Sequence, residues 1–298
     1  MDSRRSGDLY ALACAVVCGL GNIPTKVALN SVSAELFNVY YFIFAFILSG
    51  LALFKKNERQ DIARLNKKIA ALIFLLSVIF ALAIYLSMAA MKMIEPATVS
   101  FLSRFEVIVT VALAYMILKE RLNGIEILGG FVAIIGLVVL KYETNIVISR
   151  AATLMVLSSF LFAAAEIIVK KNISQLGTGK FLFYRNLFAL PTIYAILLLR
   201  GEKLMLPDNK TLFLIFSAAL LLPVLGRATY MEALRRTSIS RTTIITQLTP
   251  LVTALFAFLI LSSLPAPIEW LGGGLIVFGV AIARLSEIKW GSDNRRLP

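Results

Sequence analysis

Residues 90–140 read AMKMIEPATVSFLSRFEVIVTVALAYMILKERLNGIEILGGFVAIIGLVVL, and residues 233–283 read ALRRTSISRTTIITQLTPLVTALFAFLILSSLPAPIEWLGGGLIVFGVAIA; the two align without a gap. Ala90, Val109, Thr110, Ala114, Ile117, Leu118, Ile125, Glu126, Leu128, Gly129, Gly130 and Gly136 recur as Ala233, Val252, Thr253, Ala257, Ile260, Leu261, Ile268, Glu269, Leu271, Gly272, Gly273 and Gly279. One unit is present twice, and its apolar runs are too long for the roughly 10-residue alternating strands of a membrane barrel. They read as helices.

Working outward, the 298-residue chain is 59% hydrophobic and only 16% charged, with a mean hydropathy of +0.85. A soluble domain carries a smaller apolar share and a larger charged one. A bilayer-spanning helix needs about 20 largely apolar residues. Ten such blocks are predicted, at 9–29, 34–54, 69–91, 97–118, 125–140, 151–169, 181–199, 211–231, 242–262 and 268–285. The expected fold is an all-α integral membrane protein of ten transmembrane helices, divided as 1–145 and 146–298. Five spans per copy is an odd number, so the second copy enters the membrane from the opposite side. The halves are inverted, as in many secondary transporters, where substrate lies near the midplane between repeats.

The formal charge of +13 raises nucleic acid as a partner, and the positions of the 30 basic residues argue against it. With the N-terminus inside, 19 of them fall on the cytoplasmic side and 6 on the other, which is the positive-inside asymmetry with both termini cytoplasmic. The expected location is the inner (plasma) membrane. No cleavable signal is visible, because the first span follows Met1-Asp2-Ser3-Arg4-Arg5 directly. Cys14 and Cys18 lie one helical turn apart and read as reduced packing residues. There is no histidine, so a proton relay has to use carboxylates or lysines. Phosphate-loop and metal-ligand patterns are missing as well, so neither a cofactor nor an enzyme is expected.

The strings Ala-Met-Lys-Met-Ile-Glu-Pro-Ala (90–97), Ser-Arg-Phe-Glu-Val (103–107), Leu-Lys-Glu-Arg-Leu (118–122) and Leu-Gly-Gly (128–130) through Gly136 resemble the EamA-type repeat of the drug/metabolite transporter superfamily. Ala-Leu-Arg-Arg-Thr (233–237), Gln-Leu-Thr-Pro-Leu (247–251) and Leu-Gly-Gly-Gly (271–274) resemble it in the second half. The resemblance implies a ten-helix transporter with a central cavity lined mainly by the first four helices of each repeat. One departure is that Cys18-Gly19-Leu20-Gly21-Asn22 lacks the tryptophan often found before that glycine.

Candidate substrate-binding residues follow from polar groups placed inside apolar spans. Glu106 lies mid-span, where an acid costs about 2.5–3.5 kcal/mol on insertion scales. It can be a proton site, a counter-charge for a cationic substrate group, or the structural partner of a base. Ser103, Glu106 and Thr110 share one helical face, and Thr246, Thr249 and Thr253 repeat it. These stripes either line a passage or bond their own backbones. Arg104 aligns with Gln247, Asn22 with Glu166, and Tyr41 with Arg185; Tyr85 is a further aromatic candidate. Arg104 and Gln247 can donate to an anion, and snorkelling is the alternative for Arg104. Gly19, Gly21, Asn22 and Pro24 predict a bent or locally open first span with free carbonyls near Asn22, while Lys26 is read as snorkelling. Arg185 and Arg227 are read as partners of Glu166 and Glu232 at an inner gate, as holders of an anionic group, or as headgroup anchors. The glycines of the fifth and tenth spans are read as close helix packing.

The expected function is a secondary transporter of a small polar organic metabolite, an amino acid or related zwitterion first, working by alternating access; the direction is not encoded in these residues, and the family resemblance implies export. An anionic metabolite (organophosphate or nucleotide conjugate) and a lipid-linked precursor flippase are the alternatives. Expected partners are the small-molecule substrate, the lipid bilayer and, as one of the open assignments of Glu106, a coupling proton. No nucleic acid is expected, and the chain is expected as a monomer or homodimer.

Overall fold

The computed structural model describes residues 3–55, 67–118, 124–141, 146–172, 178–236, 242 and 245–293. Its elements in the first copy are α1 (Ser3–Ser31), α2 (Ala34–Lys55), α3 (Lys67–Met93), α4 (Pro96–Ser103), α5 (Phe105–Leu118) and α6 (Gly124–Lys141). The second copy supplies α7 (Ile146–Asn172), α8 (Thr178–Leu199), α9 (Asn209–Ala219), a π-helical segment at Leu220–Gly226, α10 (Arg227–Arg236), α11 (Thr249–Leu261) and α12 (Pro267–Asp293). Among the described residues, six helical stretches are long and apolar enough to cross a membrane, and three shorter apolar helices accompany them. With the broken fourth span, they account for all ten blocks. At about 1.5 Å per residue, the 18-residue α6 reaches about 27 Å.

Local chemistry sets the helix ends. Ser33 accepts the amide of Leu36 at the start of α2 (3.2 Å), and Asp208 accepts those of Lys210 and Thr211 at the start of α9 (3.1 and 3.2 Å). Both are side-chain caps on otherwise orphaned N–H groups. Pro96 opens α4, and a proline near the start also opens α11. Helix α8 ends at Gly201, whose φ of +71° lets the amide of Glu202 reach back to Leu197 O (3.1 Å).

The two copies are related by a pseudo-two-fold axis, and every major helix contact has its mate. Helix α1 packs on the α9–α10 span and on α11, as α7 packs on α3 and on α5. Contacts α2 with α8, α4 with α11 and α6 with α12 lie across the axis itself. The last pair shows its direction. A Cβ on Gly136 would stand 2.5 Å from Gly272 O and 2.8 Å from the amide of Ile276, and one on Gly279 would meet Gly129 O and the amide of Ala133. Gly136 and Gly279 are repeat mates, as are Gly129 and Gly272 and also Ala133 and Ile276. The pairing 129 to 279 and 136 to 272 runs antiparallel, so the copies are inverted. The glycines permit the close backbone approach that their sequence placement predicts.

Large apolar side chains such as Met116, Phe131, Phe213, Leu259 and Phe278 lie on the outer surface, where a bilayer rather than water is the fitting solvent. The main core lies between α1, α2 and α3 of the first copy and α7, α8 and α9 of the second, with Phe37, Phe42, Leu29, Ile193 and Ile215 fully buried in it.

Three expectations need correction. The fourth span is not one helix: it breaks at Arg104, where the amides of Arg104 and Val107 bond three residues back, to Phe101 O and Arg104 O (both 3.1 Å). The ninth tightens at the aligned place, with the Leu248 amide on Ile245 O (3.1 Å). The first span is not opened at Asn22, since α1 is continuous through Pro24 and Thr25 Oγ1 donates to Gly21 O (2.8 Å). Its glycines serve packing instead, as a Cβ on Gly19 would stand 2.6 Å from Val252 and one on Gly21 2.8 Å from Leu222. The eighth span carries a π-helical turn around Pro223, a residue that supplies no N–H and displaces the preceding carbonyls.

Candidate substrate-binding centre

Helices from both copies bring five charged side chains into one electrostatically connected group within the bundle. Arg104 stands at the break between α4 and α5, Glu106 follows in the first turn of α5, Glu166 lies near the end of α7, Arg185 near the start of α8, and Arg227 opens α10. Glu106 interacts with Glu166, Arg104 and Arg227, and Arg185 interacts with Arg227, Tyr41 and Glu166. Arg227 pairs with Glu166 at 3.9 Å, and their side chains are 25% and 38% exposed, so the group is reached from outside at this point.

Arg104 does not run out to the surface. Its guanidinium donates to Ser103 Oγ (3.3 Å), to Ser100 O (3.4 Å) and across the pseudo-two-fold to Thr246 O (3.5 Å). Its repeat mate Gln247 is 4% exposed, and both its amide atoms are buried without a hydrogen-bond partner among the described residues. Such orphans are rare and costly in folded proteins, and a ligand or water is their usual complement. The Glu106 carboxylate makes no ion pair or side-chain hydrogen bond among the described residues.

Arg185 is 8% exposed. Its guanidinium donates to Asn186 Oδ1 (3.1 Å) and lies 5.2 Å from the centre of the Phe80 ring, and its Nε has no partner among the described residues. Asn186 is itself anchored on α2 through Ala45 O (3.2 Å) and Ser49 Oγ (3.4 Å). Tyr41 is buried against Phe37 and Phe42 on the same face of the cluster, near Arg185. Of the gate pairs read from the sequence, only Arg227 with Glu166 forms; Glu232 holds Arg236 instead, at 2.5 Å.

The hydroxyl stripes spend their protons on their own helices. Ser103 Oγ donates to Ser100 O, Thr110 Oγ1 to Glu106 O, Thr249 Oγ1 to Thr246 O and Thr253 Oγ1 to Thr249 O, all at 2.7–2.9 Å. Asn22 reaches across from α1 to Thr253 Oγ1 (3.1 Å), tying α1 to α11. Thr253 in turn approaches Ser100 Oγ (3.5 Å), so the second stripe touches α4. Cys14 and Cys18 are unbridged, with their sulfurs 3.9 Å apart beside Gly226.

Tyr85 belongs to a different place. Its hydroxyl donates to Glu35 Oε1 (2.7 Å), which also receives Arg200 Nε (3.3 Å), at the opposite end of the bundle from Glu166. These residues, with Lys92 and Glu202, line a cavity of about 410 Å³. Lys26 seals the adjoining seam by donating to Met91 O (3.0 Å), Lys92 O (3.4 Å) and Ile94 O (2.9 Å), and Lys92 donates to Val32 O (2.8 Å). Sequence reading takes Lys26 as reaching for the membrane surface; it instead caps the carbonyls at the end of α3. Glu95, bonded to Ser263, and Glu35 are residues of this end that sequence reading passed over. Their positions, Glu35 in the first turn of α2 and Glu95 at the N-cap of α4, were the available signal. Lys170, the counterpart of Lys26, falls outside the described side chains.

The fold and this centre define a multi-pass helical membrane protein built of two inverted repeats around a shared polar core. The EamA-like transporter family model matches residues 5–142 and again 149–285, and the chain belongs to that family. A relative named as an uncharacterized transporter, sll1164 of Synechocystis sp., is 22% identical over 229 residues, covering 72% of this chain and 65% of that protein's length. A solved structure titled only as the crystal structure of a protein superposes with a TM-score of 0.68 at 13% identity, covering 96% of this chain and 99% of its own, and supports the fold alone.

Proposed function

We propose that this transporter is a secondary carrier of a small polar organic solute, an amino acid or related zwitterion, moved by alternating access through the centre formed by Arg104, Glu106, Glu166, Arg185 and Arg227. The observation that carries this reading is a set of opposite charges held inside the bundle with their partners incomplete among the described residues: Glu106 without an ion pair, and Arg185 and Gln247 with orphaned nitrogens. Ionisable groups at membrane depth mark substrate and ion pathways far more often than packing. An ammonium fits Glu106 and a carboxylate fits the arginines.

In this reading the halves 1–145 and 146–298 exchange conformations about the pseudo-two-fold axis, and the glycine-packed α6 and α12 act as their common frame. The seam at Lys26, Glu35, Tyr85 and Arg200 with its cavity and the Glu166–Arg227 pair mark the two ends between which access alternates. The chain works as a carrier rather than a catalyst, in the inner membrane with both termini cytoplasmic, exporting its solute as a monomer or homodimer. Glu106 is the residue best placed to hold a coupling proton. An anionic metabolite is the second reading, favoured by three arginines against two glutamates.

The test is uptake and efflux in proteoliposomes with a labelled panel of amino acids, organophosphates and organic cations, with and without a pH gradient, for wild type and Glu106→Gln. Transport of zwitterions that loses its pH response in Glu106→Gln supports the reading. Normal transport with an intact pH response in that variant removes Glu106 from the mechanism.

A further inference from the structure

The charged centre carries three guanidiniums and two carboxylates among the described side chains, so it is short of one negative charge. The deficit has a location. Arg185 and Arg227 lie close enough to interact electrostatically with each other, although like charges repel most strongly where water is scarce. Arg227 has Glu166 at 3.9 Å, the far edge of ion-pair distance, and Arg185 has no acidic side chain within that distance among the described residues. The Nε of each is buried with no acceptor among the described residues. A buried charge without a partner is expensive, and the cost falls away when an anion supplies both charge and acceptor oxygens.

The surroundings fix Arg185 in this unpartnered position. Asn186 is pinned to Ala45 and Ser49, and one guanidinium nitrogen of Arg185 is held by Asn186, while the face of the group rests on Phe80. The guanidinium is therefore presented in one orientation with its Nε unpaired among the described residues. Planar donors held this way match the two oxygens of a carboxylate.

We infer that Arg185 and Arg227 form a two-arginine clamp for a carboxylate, and that the solute is an acidic α-amino acid of net charge minus one rather than a neutral or basic one. This rests on the zwitterion reading and narrows it: Glu106 takes the ammonium, Arg104 is left for one carboxylate, and the clamp takes the second.

The test is thermal unfolding of the full chain in detergent with L-glutamate, L-glutamine or L-lysine at matched ionic strength, alongside proteoliposome counterflow of the same three. Glutamine is nearly isosteric with glutamate, so the comparison isolates the charge. Glutamate is expected to raise the melting temperature and to bind at least tenfold more tightly than glutamine, with lysine without effect. Arg185→Gln and Arg227→Gln should each bring glutamate down to the level of glutamine while melting cooperatively without ligand. Glutamine or lysine matching glutamate, or both variants keeping the preference, overturns the clamp. Counterflow of glutamine or lysine without a glutamate shift overturns it and leaves the carrier reading standing, whereas no shift and no counterflow with any of the three overturns both.

Discussion

Gly136 lies backbone to backbone on Gly272, at a separation where a Cβ would meet the Gly272 carbonyl at 2.5 Å, and the repeat reproduces this contact as Gly279 on Gly129. The reciprocal pair is the direct signature of two inverted copies. It also leaves the seam between α6 and α12 no room for a side chain at these glycines.

Enlarging that seam should therefore destabilise the fold. Gly136→Leu has no flexible neighbour to displace, because the obstacles are the Gly272 carbonyl and the Ile276 amide. A loss of about 1–3 kcal/mol is expected, the usual cost of overpacking. Gly274→Ala is the control, since a Cβ there meets nothing within 4 Å and the helix gains up to about 1 kcal/mol from the better helix former. Thermal melting in detergent should order the three proteins as Gly274→Ala, wild type, Gly136→Leu.

Lys26 holds the end of α3 by donating to the carbonyls of Met91, Lys92 and Ile94. Lys26→Met keeps the length and removes the donors, leaving part-buried carbonyls unsatisfied at about 1–3 kcal/mol. Amide hydrogen exchange over residues 90–99 should speed up by tenfold or more. Unchanged protection there would mean that the lysine is incidental to the seam.

The acid dependence of stability should report on Asp208. Hydrogen bonds from the Thr211 hydroxyl and then from backbone amides hold its carboxyl below the ordinary carboxylate range. A carboxyl lowered in the folded state contributes stability above its unfolded value, about 4, and loses it as pH falls through the folded one. The melting-temperature gap between wild type and Asp208→Ala should be full at pH 7 and shrink below about pH 4. Asp208→Asn should show a smaller gap at pH 7, because asparagine is also a good N-cap.

The break at Arg104 should matter for shape as well as charge. Arg104→Met removes the donations to Ser100 and Ser103 within α4 and the one to Thr246 that joins α4 to the ninth span. Arg104→Lys keeps the charge and loses the fork. If the guanidinium geometry is needed, Arg104→Lys should retain the melting temperature better than Arg104→Met yet lose binding by about tenfold or more. Ligand-dependent thermal shifts separate the two effects.

The repeat and the apolar blocks made the ten-span inverted architecture legible from sequence, because hydrophobic length and duplicated glycines are properties of the chain alone. The kinks were less visible. Arg104 sits at a break with no proline or glycine beside it, and its bond to Thr246 O joins α4 to the ninth span there; the matched tightening at Gln247 has Pro250 just past it as a local signal. Pro24 gave the opposite case: a strong local signal for an open helix was overridden by Thr25 and by packing on α11 and the π-helical segment. Of the candidate site residues, the charged ones converge, since charge inside a span has few places to go. Tyr85 does not join them, because its partner Glu35 lies 50 residues away in sequence and at the far end of the bundle. Ser103 and Thr249 face the axis region but bond their own backbones, a choice that spacing alone leaves open.

The most direct test of the account is counterflow in proteoliposomes of the solute that most stabilises the purified protein, compared among wild type, Glu106→Gln and Arg185→Gln at equal reconstitution. The account predicts exchange by wild type well above empty liposomes and at least about a tenfold loss in each variant, the equivalent of about 1.4 kcal/mol per removed charge contact. Both variants exchanging at the wild-type rate would contradict a transport path through this centre.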